Sequence, residues 1–255
     1  MALRRVITLD ALGTLVALEQ PAPLLVAELR SRGARVSEAQ AATAIGAEIA
    51  YYRAHLDTGA DATSLVALRE RCAEVLGEAL RGAGAQLGDL DQAQLLEALL
   101  AALRFEPYPE VPAALRCLRA AGHRLVVVSN WDVSLHEMLR RNGLDALVDA
   151  AISSAEAGVA KPAPGIFERA LELIGGEGGD GLHVGDSLRH DVVGALAAGL
   201  RPVLIARAAR PPDTPDGVAI IASLAELPAL AARPPDTPDG VAIIASLAEL
   251  PALAA

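Results

Sequence analysis

The chain has 255 residues, 53% of them hydrophobic, and a formal net charge of −10. That length suits one large domain, or a domain carrying an inserted module. The acidic balance, with no basic run, argues against nucleic acid or an anionic membrane surface as partner, and no run of 18 apolar residues is present to span a bilayer.

Aromatic residues make up only 2% of the chain, so the core must be built from Leu, Val, Ile and Ala. The two cysteines, Cys72 and Cys117, lack metal-type spacing and suit a reducing compartment. Cys72 shares a helical stripe with Leu65, Leu68, Val75 and Leu76 and reads as core; Cys117 is expected to pack as well. Arg4 and Arg5 precede an apolar stretch, as in a signal peptide. Asp10 interrupts that stretch and no clean cleavage site follows, so a cytoplasmic location is expected.

In chain order, residues 5–9 read as a strand that breaks at Asp10 into a Gly13-Thr14 turn. From about 17 to 105 the pattern is helical, with helices expected over 21–32, 37–56, 61–82 and 90–104. Ser37 and Gln40 form a capping-box pattern. After Pro107 and Pro109, helix and strand alternate. Helices are expected at 110–121, 133–142, 164–174 and 188–198, and strands at 124–128, near 148–152, at 182–185 and at 202–206. This alternation predicts an α/β fold, a Rossmann-like parallel sheet with helices on both faces. The helical block reads as an inserted four-helix cap above the carboxyl edge of the sheet. The expected division is a core of 1–16 and 106–232, a cap of 17–105, and a separate segment of 233–255. That last segment repeats 210–232 without a change. Each copy reads as a loop, a strand and a short capped helix, and only one can fill the last place in the sheet. The first copy, with the shorter linker, is expected there.

Four polar clusters fall at strand ends. They are Asp10 with Gly13 and Thr14, Ser129-Asn130, Lys161-Pro162, and Gly185-Asp186 with Asp191. In a parallel sheet all four converge on one edge, where open α/β sheets bind ligands. A carboxylate, a hydroxyl, a cation and an acidic pair suit a phosphoryl group with Mg²⁺, which prefers oxygen ligands.

These motifs, in this order and with a helical block between the first two, resemble the haloacid dehalogenase superfamily, in its subfamily with a C1-type cap. The resemblance runs from residue 5 to about 230. It implies that Asp10 attacks phosphorus to form an aspartyl-phosphate, that Ser129 binds a phosphoryl oxygen, and that Lys161 neutralises charge and holds Asp10. Asp10, the Leu12 carbonyl, Asp186 and Asp191 would hold Mg²⁺. Gly13, Thr14 and Asn130 are expected to line the substrate pocket, with Asn130 reading equally as a turn residue that ends its strand. Tyr51, Tyr52, Arg53 and His55, near a helix end of the cap, read either as a specificity patch or as helix packing with an exposed Arg and His. The expected partner is a small phosphorylated metabolite, bound by a monomer or homodimer.

One position departs from the family. Its phosphatases usually carry a second Asp two residues after the nucleophile, and here Leu12 stands there. A leucine has no proton to give the leaving group. Slow turnover, a preference for good leaving groups, or an acid recruited from His190 or the Tyr51–His55 patch would follow. Leu12 also keeps two alternatives open: a metal-independent 2-haloacid dehalogenase, and a catalytically weak or non-enzymatic relative. His123 and His183, at strand starts, are expected to be structural and distant from the active edge. Trp131 is expected to wall the pocket or pack under it, Asp132 to cap the next helix, and the Gly-rich stretch 175–181 to form a plain turn.

Overall fold

The first strand, β1 (Val6–Leu9), turns Ile7 and Leu9 to one face of the sheet and Thr8 to the other, the period-two alternation of extended backbone. It is seen in a computed structural model that describes residues 5–175, 181–208, 213–215 and 217–233. Five further strands join it: β4 (Arg124–Ser129), β5 (Ala150–Ser153), β6 (Leu182–Gly185), β7 (Arg201–Ile205) and β8 (Ala219–Ile221). The order is β5-β4-β1-β6-β7-β8 and every pairing is parallel. The chain runs outward from β1 to β5, then returns to β6 on the other side of β1. The reversal leaves a crevice at the carboxyl ends of β1, β4 and β6.

Both faces are covered. On one, Leu125, Val127, Leu182, Val184 and Ile205 pack with α5 (Val111–Ala120), α6 (Leu135–Arg141) and α10 (Leu227–Ala231). On the other, Val126 and Val128 meet Ile166, Phe167 and Ala170 of α8 (Gly165–Leu173) and Ala195 of α9 (Val193–Ala197). The expectation that Cys117 packs is corrected, because it is exposed. The buried stripe of α5 is Val111, Ala114, Leu115 and Leu118, and position 117 falls outside that spacing.

The inserted block holds α1 (Pro21–Ser31), α2 (Glu38–His55), α3 (Ala62–Gly82) and α4 (Gln92–Ala102). Its own core is built around Leu25, Leu29, Leu76, Leu80, Leu95 and Leu99. Ser37, Asp61 and Asp91 start the last three helices with reciprocal capping boxes. The block enters and leaves through an antiparallel ribbon of β2 (Val16–Leu18) and β3 (Phe105–Pro107), which the sequence reading misses. Three residues are too few to display alternation.

The expected helix 188–198 is also revised. A wide π-type turn, Leu188–Val192, precedes α9, and the Ser187 carbonyl accepts from both Asp191 N (2.9 Å) and Val192 N (3.1 Å). Such turns recur at functional sites; this one folds Asp191 inward beneath Gly185. The first copy of the tail repeat supplies β8 and α10, with the Ser223–Glu226 capping box between them. Residues 234–255 of the second copy, and 176–180 of the Gly-rich stretch, lie outside the described residues. Among the described residues no helix is long and apolar enough to cross a membrane.

Candidate active site

Asp10 extends the β1–β6 register by one residue, since its N–H donates to Val184 O (2.9 Å). The chain then folds back tightly: the Ala11 carbonyl accepts from Leu15 N (2.8 Å) and Val16 N (3.0 Å). Gly13 turns this corner with φ +84°, and a Cβ there would collide with the Asp186 carboxylate. Gly185 has the same duty towards Asp191. Two glycines thus let two carboxylates lie against bare backbone.

The expected clusters converge, with one correction: Lys161 lies not at a strand end but in the loop after the short helix α7 (Ser154–Ala157), which follows β5. Lys161 Nζ donates to Asp10 Oδ1 and to Asp191 Oδ1, both at 2.6 Å, and Ser129 Oγ donates to Asp10 Oδ1 (3.1 Å). All four side chains are buried. Oxygens of Asp10, Asp186 and Asp191 lie within 4.8 Å of one another. Burial pushes the Asp10 carboxyl up to about 6, against the pull of Lys161 and with a further push from Asp191. Burial and the charge of Asp191 raise Asp186 as well. Burial would also raise Asp191, but Lys161 and the hydrogen bond from His183 hold it below the ordinary carboxylate range. Lys161, buried between two carboxylates, stays charged and is raised. Three carboxylates facing one ammonium leave negative charge in excess, and the donors are all oxygen. That set fits a magnesium-sized cation.

The other expected site residues fall into two groups. Asn130 meets the cluster through Lys161: its Nδ2 donates to Lys161 O (3.0 Å) and its Oδ1 accepts from Lys161 N (2.8 Å). Both ends of the amide brace the lysine backbone. Leu12 is 36% exposed at the rim. Thr14 is buried, and its Oγ1 has no hydrogen-bond partner among the described residues. In the helical block, Tyr52 donates its hydroxyl to Asp132 Oδ2 (3.1 Å), in the loop just after Ser129-Asn130. Asp132 Oδ1 also accepts from Ser134 N (2.7 Å), the turn-capping role expected of it. Tyr51 instead stacks on His55, with ring centroids 4.0 Å apart, and Arg53 and His55 are exposed. No described hydrogen bond joins Tyr51, Arg53 or His55 to the acidic cluster. His190, also exposed, bonds Ser187. Burial raises the Tyr52 hydroxyl well above its ordinary value, which makes it a poor proton donor.

Two residues escaped the sequence reading. His183, expected to lie far from the active edge, touches it: its Nε2 is 3.0 Å from Asp191 Oδ1. The correction comes from the wide turn, which carries Asp191 back under the strand. Arg207 follows β7 and has no motif to single it out. Its Nε donates to Gly13 O (3.0 Å), Nη2 to Thr14 O (2.7 Å) and Nη1 to Glu110 Oε1 (2.7 Å), while the guanidinium lies 3.3 Å from the Tyr108 ring centre. It pins the turn that follows Asp10. Replacing it by lysine keeps the charge and loses the planar fork. Arg207→Lys is expected to lower the melting temperature by several degrees as two turn carbonyls lose their charged donor; a parental melting temperature would exclude that role.

A doubly wound α/β architecture with its polar cluster at the carboxyl ends of the central strands is the class defined by fold and site. A family model described as haloacid dehalogenase-like hydrolase matches residues 4–199, and the chain belongs to that family. It is similar to haloacid dehalogenase-like hydrolase domain-containing protein 3 of Xenopus laevis, 30% identical over 79% of this chain and 84% of that one. Its match to the bovine protein of the same name is 43% identical over 37% of this chain and spans only 38% of the relative. Phosphoserine phosphatase of Thermus thermophilus is 37% identical over 57% of each chain. Among solved structures, L-2-haloacid dehalogenase from Xanthobacter autotrophicus shares the fold with a TM-score of 0.65, at 22% identity over 89% of this chain and 98% of that one.

Proposed function

We propose that this chain is a Mg²⁺-dependent phosphatase of small phosphorylated metabolites, working through an aspartyl-phosphate on Asp10. The observation that carries the reading is the Asp10–Lys161–Asp191 triad at 2.6 Å spacings beside Asp186. Phosphatases among the relatives support it. Both hydrogen bonds that Asp10 accepts fall on Oδ1, which leaves Oδ2 to attack phosphorus. As the Oδ2–P bond forms, the bond from phosphorus to the leaving oxygen breaks. Lys161 and the Ser129 hydroxyl face the charge that builds on the phosphoryl oxygens. Water then cleaves the acyl phosphate, releasing inorganic phosphate and restoring the carboxylate. Mg²⁺, held by Asp10, Asp186 and the Leu12 carbonyl with Asp191 behind them, would supply charge neutralisation for the transferring group. The helices of residues 17–105 serve as the cap over the site, and the protein works on soluble substrate in the cytoplasm as a monomer or homodimer.

With Leu12 in place of an acid, the leaving oxygen departs with little help. Acyl and aryl phosphates should therefore be cleaved in a Mg²⁺-dependent way, and alkyl phosphates about 100-fold or more slowly. A panel of esters, with and without Mg²⁺, tests this. Chloride release from 2-chloropropionate without metal, and no ester cleaved, would replace the reading by the dehalogenase that Leu12 also suits. No turnover of either kind would leave a ligand-binding relative.

A further inference from the structure

We propose that His183 is a positioning residue of this site: its Nε2–H holds the Asp191 carboxylate in the orientation that turns Lys161 towards Asp10. The proposal deepens the phosphatase reading and rests on it for its Mg²⁺ measurement.

The argument begins in the sheet. Thr8 and His183 are register partners on adjacent central strands, and both are fully buried. Their neighbours Ile7, Leu9, Leu182 and Val184 face the opposite side. A polar pair in mid-sheet costs free energy unless each group finds a partner, and a well-packed apolar residue would fill the place without that cost. Here each group is matched. His183 Nδ1 lies 2.9 Å from Thr8 Oγ1, and Nε2 lies 3.0 Å from Asp191 Oδ1. An ionised carboxylate only accepts, so the proton of a neutral ring belongs on Nε2, and Nδ1 accepts the Thr8 hydroxyl proton at 2.9 Å, the nearer of that hydroxyl's two acceptors, Leu182 O lying at 3.2 Å. Phe167 meets the ring edge-on, with centroids 4.8 Å apart at 83°. The plane of the imidazole is therefore set by the sheet and by α8.

Asp191 receives three donors: His183 Nε2 and Lys161 Nζ on Oδ1, and Ser187 N on Oδ2 (2.9 Å). Of these only Lys161 sits on a long flexible stem. The two rigid donors, one from the sheet and one from the turn, fix the carboxylate, and the carboxylate fixes the ammonium. Without the imidazole, Oδ1 would answer to the lysine alone. The buried chain Thr8–His183–Asp191–Lys161–Asp10 thus carries the geometry of the central strands to the nucleophile.

The test uses the whole chain and three variants. Nitrogen-15 NMR of the metal-free parent should show His183 protonated at Nε2 and bare at Nδ1; the opposite tautomer overturns the proposal. His183→Leu should weaken Mg²⁺ binding, measured by calorimetry, about 10- to 100-fold, as loss of an outer partner does. It should lower kcat by a similar factor at nearly constant KM, and move the Lys161 ammonium resonance. His183→Gln offers an N–H to the same oxygen and should recover most of all three. Both variants lose the Phe167 contact, so a merely structural role predicts equal losses in the two, which would overturn the proposal, as would a leucine variant with parental Mg²⁺ affinity and kcat. Thr8→Val, a milder change, should loosen the tautomer and give a smaller loss of the same kind; it decides the matter if the leucine variant does not fold. A parent that binds no Mg²⁺ and cleaves no ester sinks the phosphatase reading alone. The lysine resonance then decides: shifted by leucine and kept by glutamine supports the positioning role, and unshifted by leucine refutes it.

Discussion

Asp10→Asn is expected to abolish ester hydrolysis, by at least about 10⁴-fold in kcat, while raising the melting temperature of the metal-free protein at pH 8. The first effect follows from losing the nucleophile. The second follows from charge. Burial and Asp191 push the Asp10 carboxyl up to about 6, well above the ordinary aspartate range, so its ionised form is a burden on the folded state. A raised acid stabilises the fold below its unfolded value, near pH 4, and that contribution disappears as pH climbs through about 6. Two pH units correspond to at most about 3 kcal/mol, which for a chain of this size is a rise of at most about 6–12 °C on removing the charge. Asparagine keeps the shape and an acceptor for Lys161 and Ser129. Thermal melts of parent and variant across about pH 3.5–8 should draw together at the acid end, below the unfolded value, and part progressively up to about pH 6 and above. A variant that melts lower at pH 8 would show that Asp10 is held favourably even without a cation.

Leu12→Asp is expected to raise kcat on alkyl phosphates by about 10²-fold or more, the range a positioned acid/base supplies. Aryl and acyl phosphates should gain far less, because their leaving groups need no proton. Leu12 is 36% exposed at the rim, so the exchange empties no cavity and the stability cost is small. The fold-change should therefore depend on leaving-group basicity rather than appear uniformly. A uniform gain, or none, would mean that position 12 does not face the departing oxygen. The other candidate acids are engaged elsewhere: His190 bonds Ser187, Tyr52 is tied to Asp132, and Tyr51 stacks on His55.

Asp10, Ser129 and Asp186 were legible because each follows an apolar strand whose end a parallel sheet brings to the same edge, whereas Lys161 and Asp191 were legible only through their motifs, since a loop and the wide turn carry them in. The four long helices of the insertion were legible through their stripes and caps, with ends within two residues of those expected. What was hidden has a common cause. His183 occupies an alternate position in a buried strand, where a histidine looks like core, and only the wide turn after Gly185 reveals its partner. Arg207 acts on carbonyls rather than side chains, so no residue pattern marks it. Asn130 looked ready for substrate because its amide could serve either purpose; the backbone of Lys161, 31 positions later, occupies it. Pairings across such separations are set by topology and leave no local trace.

The ribbon of β2 and β3 has an evolutionary consequence. The two ends of the helical block leave the sheet side by side, hydrogen-bonded to each other from Val16–Pro107 to Leu18–Phe105. The block hangs from the catalytic platform by one clasp, touching it otherwise at points such as Tyr52–Asp132 and Gly59–Val133. On the proposed reading of these helices as a cap, exchanges of sequence between Leu18 and Phe105 would remodel it while leaving in place the strand ends and loops that hold Asp10, Lys161 and Asp191.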